Sequence, residues 1–277
     1  MCIEMKNIVD FYVKNNSDWV NHYDSRNELR KIKALIEAIG IDVGPQTCIA
    51  DIGCGSGRSS VVLSRVVNGM GTIIGVDKRD ESINYAKSSI SLSNVEFIKE
   101  DAFSFLSLTE NKQRFDAVFF VWSFFDMSSD ASPMKKKHQL AQIINSSSCC
   151  LKDNGYIVVL QPTKGGSFEK LLSLFMPTSI DSYQETHDTL IAAGFRGARR
   201  AIPSRRSKWA IWSCFRYSDM EELYRGVASI LFLEERRILR REEFDEVMLC
   251  FKEQNSKTRN ALTDCVNIYY LKKGLEQ

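Results

Sequence analysis

Ile49-Ala50-Asp51-Ile52-Gly53-Cys54-Gly55-Ser56-Gly57-Arg58 is the stretch whose reading decides the fold. A short β-rich run, Thr47–Ile52, ends in three glycines at alternate positions, and helical spacing follows over Ser59–Val67. A strand that turns through glycines into a helix is the opening unit of an α/β sheet. Ligands bind at such turns, outside the carboxyl ends of the strands. Glycine permits positive φ there and lets the backbone approach a ligand with no Cβ in the way. The spacing is GxGxG, at 53, 55 and 57. A dinucleotide fingerprint would place the third glycine at 58, which is Arg58, and no Gly-Lys-Ser/Thr closes a phosphate loop. Asp51 stands two residues before the first glycine. A carboxylate facing a ligand there would oppose a pyrophosphate and favour a cation, directly or through water.

Outward from this unit, strands and helices alternate. Strands are expected at Gly71–Val76, Val95–Ile98, Phe115–Val121 and Tyr156–Leu160, the last introduced by a turn at Asp153-Asn154-Gly155. Phe115–Val121 is apolar on both faces, as a central strand covered on both sides would be. Helices are expected at 5–14, 26–39, Glu81–Ser88, 137–151 and Ser182–Ala193. Gly197–Ile202 reads as a sixth strand and Asn267–Lys272 as a last one, inserted antiparallel beside it, with helices at 218–232 and 241–253 between them. The expected fold is α/β, a Rossmann-like doubly wound seven-stranded sheet with its last strand antiparallel.

The balance of the chain narrows the function classes. It has 277 residues, 44% hydrophobic and 26% charged, which suits a folded core with one appendage. Thirty-seven basic residues against 35 acidic ones give a net charge of +2, so nucleic acid is not expected as the main partner. No apolar run reaches the ~20 residues of a membrane span. Glu4, Lys6 and Asp10 stand where a secretory signal would be apolar. Eight cysteines occur without any CxxC pair, so they read as reduced thiols of a cytoplasmic protein, and no metal site is expected.

Two further acids fall at strand ends. Asp77 closes the second strand, twenty residues after Gly57, where a carboxylate can accept both hydroxyls of a ribose. Asp101 follows the third and can accept a hydrogen bond from an exocyclic adenine amine. With these acids in place, the chain resembles the class I S-adenosylmethionine-dependent methyltransferases of small-molecule type. The matching blocks are DIGCGSG at 51–57, GVD at 75–77, EDA at 100–102, FDAVFF at 115–120 and LKDNGYIVV at 151–159, in order over about residues 45–165. The resemblance implies that Asp51, Gly53, Cys54, Gly55 and Gly57 hold the methionine end of S-adenosylmethionine. It places Asp77 and Lys78 at the ribose, Asp101 and Ala102 at the adenine, and Val121 and Trp122 beneath the reacting sulfonium. The product would be S-adenosylhomocysteine. It also divides the chain into an N-terminal helical lid at 1–44, a cofactor-binding core at 45–217, a helical insertion at 218–264 and a final core strand at 265–277.

The acceptor side is less explicit. Methyl transfer chiefly needs a nucleophile held in line with the breaking bond and shielded from water, with a base for some oxygen or nitrogen acceptors. His22 and Tyr23 lie in the segment that resembling enzymes fold over the cofactor, so His22 is a candidate base and Tyr23 a candidate substrate contact. His138, in a basic run, and His187, on an outer helix, are read as surface residues. After strand four, Phe125 offers an aromatic substrate contact and Asp126 a base or amine anchor. Gln161, after strand five, is a further candidate substrate contact, and Trp209 and Trp212 either line a substrate pocket or anchor the insertion. The Asn/Asp-Pro-Pro-aromatic tetrad of adenine-methylating nucleic-acid enzymes is absent after strand four. The expected function is methyl transfer to O or N of a small metabolite. The alternative is an RNA or protein methyltransferase using the basic segment 196–208, which carries six basic residues and no acid.

Overall fold

A computed structural model describes residues 26–124, 127, 133–163, 177–197, 211–216 and 261–274. Its strands are β1 (Cys48–Ile52), β2 (Thr72–Asp77), β3 (Val95–Lys99), β4 (Phe115–Val121), β5 (Leu151–Thr163), β6 (Arg196–Gly197), β7 (Ile211–Arg216) and β8 (Ala261–Lys272). Its helices are α1 (Arg26–Ile39), α2 (Arg58–Val66), α3 (Asp80–Ser89), α4 (Ala102–Ser107), α5 (Pro133–Cys150) and α6 (Pro177–Ala192).

The sheet runs β3-β2-β1-β4-β5-β8-β6, with β7 also paired to β8. β1 to β5 are mutually parallel, and β8 is antiparallel to β5, β6 and β7. The Rossmann-like expectation therefore holds, including the inserted antiparallel strand. The order reverses between β1 and β4, which opens a crevice at their carboxyl ends.

Alternation along β4 explains the two-faced core. Ala117, Phe119 and Val121 pack on one side with α1 and α2, through Ile32, Leu35, Ile36, Val62 and Leu63. Val118 and Phe120 pack on the other with Ile157, Val159, Leu140 and Leu190. Every residue of β4 except Asp116 is buried. Asp116 instead accepts from the Cys48 amide and the Lys152 ammonium, each at 2.8 Å.

Four differences from the sequence reading have physical causes. First, the expected turn at Asp153-Asn154-Gly155 lies inside β5. The pairing slips from Phe115–Leu151 to Ala117–Tyr156, and Asn154 takes a φ of 64°, so the polar tripeptide forms a bulge rather than an end. Second, α4 was not expected, because six residues are too few to display a period. Third, β7 adds an eighth strand, hydrogen-bonded to the first half of β8, and β8 begins at Ala261 rather than at 265. Fourth, α1 falls within the expected lid but is a core helix, since Ile32 and Leu35 have no exposed surface. The helices expected at 5–14, 218–232 and 241–253 lie outside the described residues. No helix among the described residues is long and apolar enough to cross a membrane.

The anchor of α1 is specific. The Tyr156 hydroxyl donates to the Ile39 carbonyl at 2.6 Å, which ties the last turn of α1 to β5. Tyr156→Phe is expected to lower stability by about 1 kcal/mol in urea titration, with the m-value unchanged.

Candidate functional site

The glycine turn bends where strand geometry must become helix geometry. Gly53 has a φ of 74°, and its amide donates to the Val76 carbonyl at 2.7 Å. A Cβ at Gly53 would stand 2.4 Å from the Ser123 Cβ, so only glycine fits. Ser123 holds that contact by donating its hydroxyl to the Ile52 carbonyl at 2.6 Å. Gly55 differs: a Cβ there would meet nothing within 4 Å, although φ is 53°. The turn is therefore closed against protein at Gly53 and open at Gly55. Gly57 starts α2 with no side-chain cap.

Asp51 does not face this opening. It has no exposed surface, and its Oδ2 accepts from Ser59 at 2.7 Å and Ser60 at 2.6 Å. It joins the end of β1 to the first turn of α2. Both hydroxyls meet the same carboxylate oxygen, Oδ2.

Asp77 does face the opening. It is 6% exposed, and its Oδ2 accepts from the Gly55 amide at 2.9 Å. Its Oδ1 accepts from the Arg79 amide at 3.0 Å and from Arg79 Nε at 3.3 Å. The carboxylate is thus fixed in orientation at the end of β2. Asp101 caps α4, accepting from the Phe103 amide at 2.9 Å and the Ser104 amide at 3.2 Å through Oδ1. Its exposed side chain also borders the cavity, so the capping carboxylate stands on the cavity wall.

These groups line one cavity of about 610 Å³. Of the expected cofactor residues, Gly53, Cys54, Gly55, Asp77, Lys78, Asp101, Ala102, Val121 and Trp122 border it, whereas Asp51 and Gly57 do not. Sequence reading missed Arg58, Arg79 and Glu100 on its wall, and Phe103, Ser123, Met127, Gln139, Gln142 and Ile143. Arg58, Lys78 and Arg79 stand on the wall with Asp77, Glu100 and Asp101, so it carries both signs of charge. Gln139 and Gln142 gave no signal because they are exposed polar positions of a long helix, and only the fold brings them to this wall. Burial pushes the Cys54 thiol well above its ordinary range, and the Asp51 and Asp77 carboxylates push it further. It is a neutral group that packs beside the loop.

On the acceptor side, Gln161 is fully buried at the end of β5, and His187 is half-buried rather than a surface residue, with Nδ1 2.6 Å from the Tyr269 hydroxyl. His138 is exposed, as read. His22, Tyr23, Phe125, Asp126 and Trp209 lie outside the described residues, as does the basic segment beyond Gly197. Trp212 lies on β7, next to Cys265 of β8 in register.

Comparison with known proteins follows the same lines. Residues 44–191 match the family model described as a methyltransferase domain. Over 106 residues the chain is 29% identical to a probable cobalt-precorrin-6B C(15)-methyltransferase (decarboxylating) of Saccharolobus solfataricus, covering 36% of this chain. The match spans about half, 52%, of that relative's length. Among solved structures, the YcgJ protein of Bacillus subtilis is similar at a TM-score of 0.50 and 13% identity, covering 87% of this chain and 98% of that one. A candidate methyltransferase of Bacillus halodurans is similar at 0.51 and 12%, covering 90% and 99%. At such identities the structures speak for the fold alone.

The contrast between the two glycines is testable. Gly53→Ala should lose more than about 2 kcal/mol of stability, because its methyl collides with Ser123. Gly55→Ala should lose only about 1–2 kcal/mol for its left-handed φ, yet should weaken S-adenosylhomocysteine binding at least about tenfold. Thermal melts and calorimetric titration of both variants check this.

Proposed function

The chain belongs to the methyltransferase-domain family and has the class I S-adenosylmethionine-dependent fold, and from that premise we propose that it methylates O or N of a small molecule. The carrying observation is the cradle at Gly55, open on the ligand side and fixed from behind by the Asp77 carboxylate.

The residues present fit S-adenosylmethionine. When bound, that group supplies an electrophilic methyl on a sulfonium. Asp77 keeps lone pairs beyond those used by Gly55 and Arg79, so it would accept the ribose hydroxyls. The uncapped start of α2 would hold the carboxylate of the amino-acid end. Asp101 and Ala102, with Phe103 beside them, would contact the adenine. Val121 and Trp122 form the wall at the end of β4, where they would exclude water from the reacting centre. Cys54, held neutral, is not the base. A base for the acceptor would come from His22 or Asp126, or the acceptor would react as its neutral lone pair.

A small acceptor is supported by the cavity's size, which lies within the range of small-molecule sites, and by its balanced wall. The distant precorrin methyltransferase relative points the same way. The test is incubation with methyl-labelled S-adenosylmethionine and a metabolite extract. A labelled low-mass product is expected, and label found only in RNA or protein would contradict the reading. Asp77→Ala should keep the fold by circular dichroism and weaken S-adenosylhomocysteine binding by about 10–100-fold, the loss of one or two hydrogen bonds to a charged group.

A further inference from the structure

Gln161, at the carboxyl end of β5, has no exposed surface, and neither its amide oxygen nor its amide nitrogen has a hydrogen-bond partner among the described residues. Water would satisfy both groups in the unfolded chain, so burying them unmet is destabilising. Buried polar groups in native proteins are almost always paired, and an exception calls for a cause.

Three neighbours share its side of the sheet. Strand alternation puts Gln161 on the face of Ile157 and Val159. Across the antiparallel pair, Asn267 stands opposite Gln161 and Tyr269 opposite Val159. Residues directly opposite share a face. Asn267 Nδ2 donates to the Tyr269 hydroxyl at 3.2 Å, and His187 Nδ1 lies 2.6 Å from the same hydroxyl. A polar group of amides and a phenol thus sits on an otherwise apolar face, between β5, β8 and α6.

The neighbouring strand supplies a second, independent observation. Val121 pairs with Leu160, the last pair of β4 with β5, so Trp122 and Gln161 are the residues that follow on the two strands. A regular strand would turn residue 122 onto the face of Gln161. Trp122 instead has a φ of 61° and packs into the cluster that already holds Val121. The place beside Gln161 on that face is therefore not filled by the indole. A bulky residue in the left-handed region is strained, and such strain is commonly kept at binding sites. Trp122 also borders the cavity, and its amide donates at 2.8 Å to the carbonyl of Leu160, the residue before Gln161.

We infer that Gln161, flanked by Asn267, Tyr269 and His187, anchors the acceptor, and that it takes a neutral carboxamide or lactam. Such a group presents a C=O and an N–H side by side, which pair with the N–H and C=O of the glutamine. Among the described residues the cluster holds no carboxylate, lysine or arginine, so it offers an ion no charged partner there. The inference rests on the methyltransferase reading and adds the chemical class of acceptor to it.

The test uses acetamide as probe, sodium acetate as control and Gln161→Met, which keeps the volume and removes the polar atoms. In the wild-type chain, acetamide should shift the side-chain amide resonances of Gln161 and Asn267 saturably, while acetate leaves them in place. In Gln161→Met the Asn267 response should vanish, and the melting temperature without probe should rise by about 2–4 °C. An absent acetamide response in the wild type, an Asn267 response that survives Gln161→Met, or a lower melting temperature would each overturn the assignment. Titration of the same samples with S-adenosylhomocysteine separates the two claims. Heat without an acetamide response removes only the acceptor assignment, whereas no heat removes the reading beneath it.

Discussion

A carboxylate with no exposed surface must be met by donors, and Asp51 is met by the hydroxyls of Ser59 and Ser60. That constraint sets the path of the chain between β1 and α2. The two serines belong to the first turn of the helix, so the glycine turn is held at both ends across only a few residues. Its middle is then fixed by the Gly53 and Cys54 amides, which both donate to the Val76 carbonyl. Ser123 closes the third side through the Ile52 carbonyl. The carboxyl ends of β1, β2 and β4 become one rigid rim, and the cavity is what that rim leaves open.

Organisation at the rim precedes any ligand. Asp77 is oriented by Gly55 and Arg79, and Asp101 by the start of α4. Fixing these carboxylates in the folded chain lowers the ordering cost that a ligand would otherwise meet on binding. The link runs onward to β3, because the Glu100 amide donates to the Asp77 carbonyl at 3.1 Å. The acids that would hold a sugar and a base are therefore set by backbone as well as by side chains.

The fold was legible wherever the pattern was local. β1 to β5 follow from short apolar runs bounded by glycine or acid, and α1 matches its helical period end to end. Most of the residues expected at the cofactor border the cavity, since ligand-facing residues of such sheets cluster at strand ends. What escaped depends on distance or brevity. β7 reads IWSCFR beside a basic run, and only its pairing with β8, some fifty residues on, makes it a strand. The hydrogen bonds of Asp51 to two serines of the following helix are not announced by residue type alone. His187 and Tyr269 are 82 positions apart, so their contact left no sequence signal. Trp122 breaks strand alternation through its backbone, and nothing in the identity of a tryptophan predicts a positive φ.

The central claim is that the opening at Gly55 holds the nucleoside and amino-acid parts of a sulfonium donor. Calorimetric titration of the intact chain with S-adenosylhomocysteine tests it most directly. One saturable site per chain, with the Gly55 amide resonance moving in step with the heat, is the result expected. Well-folded protein that gives no saturable heat and an unmoved Gly55 resonance would contradict the account.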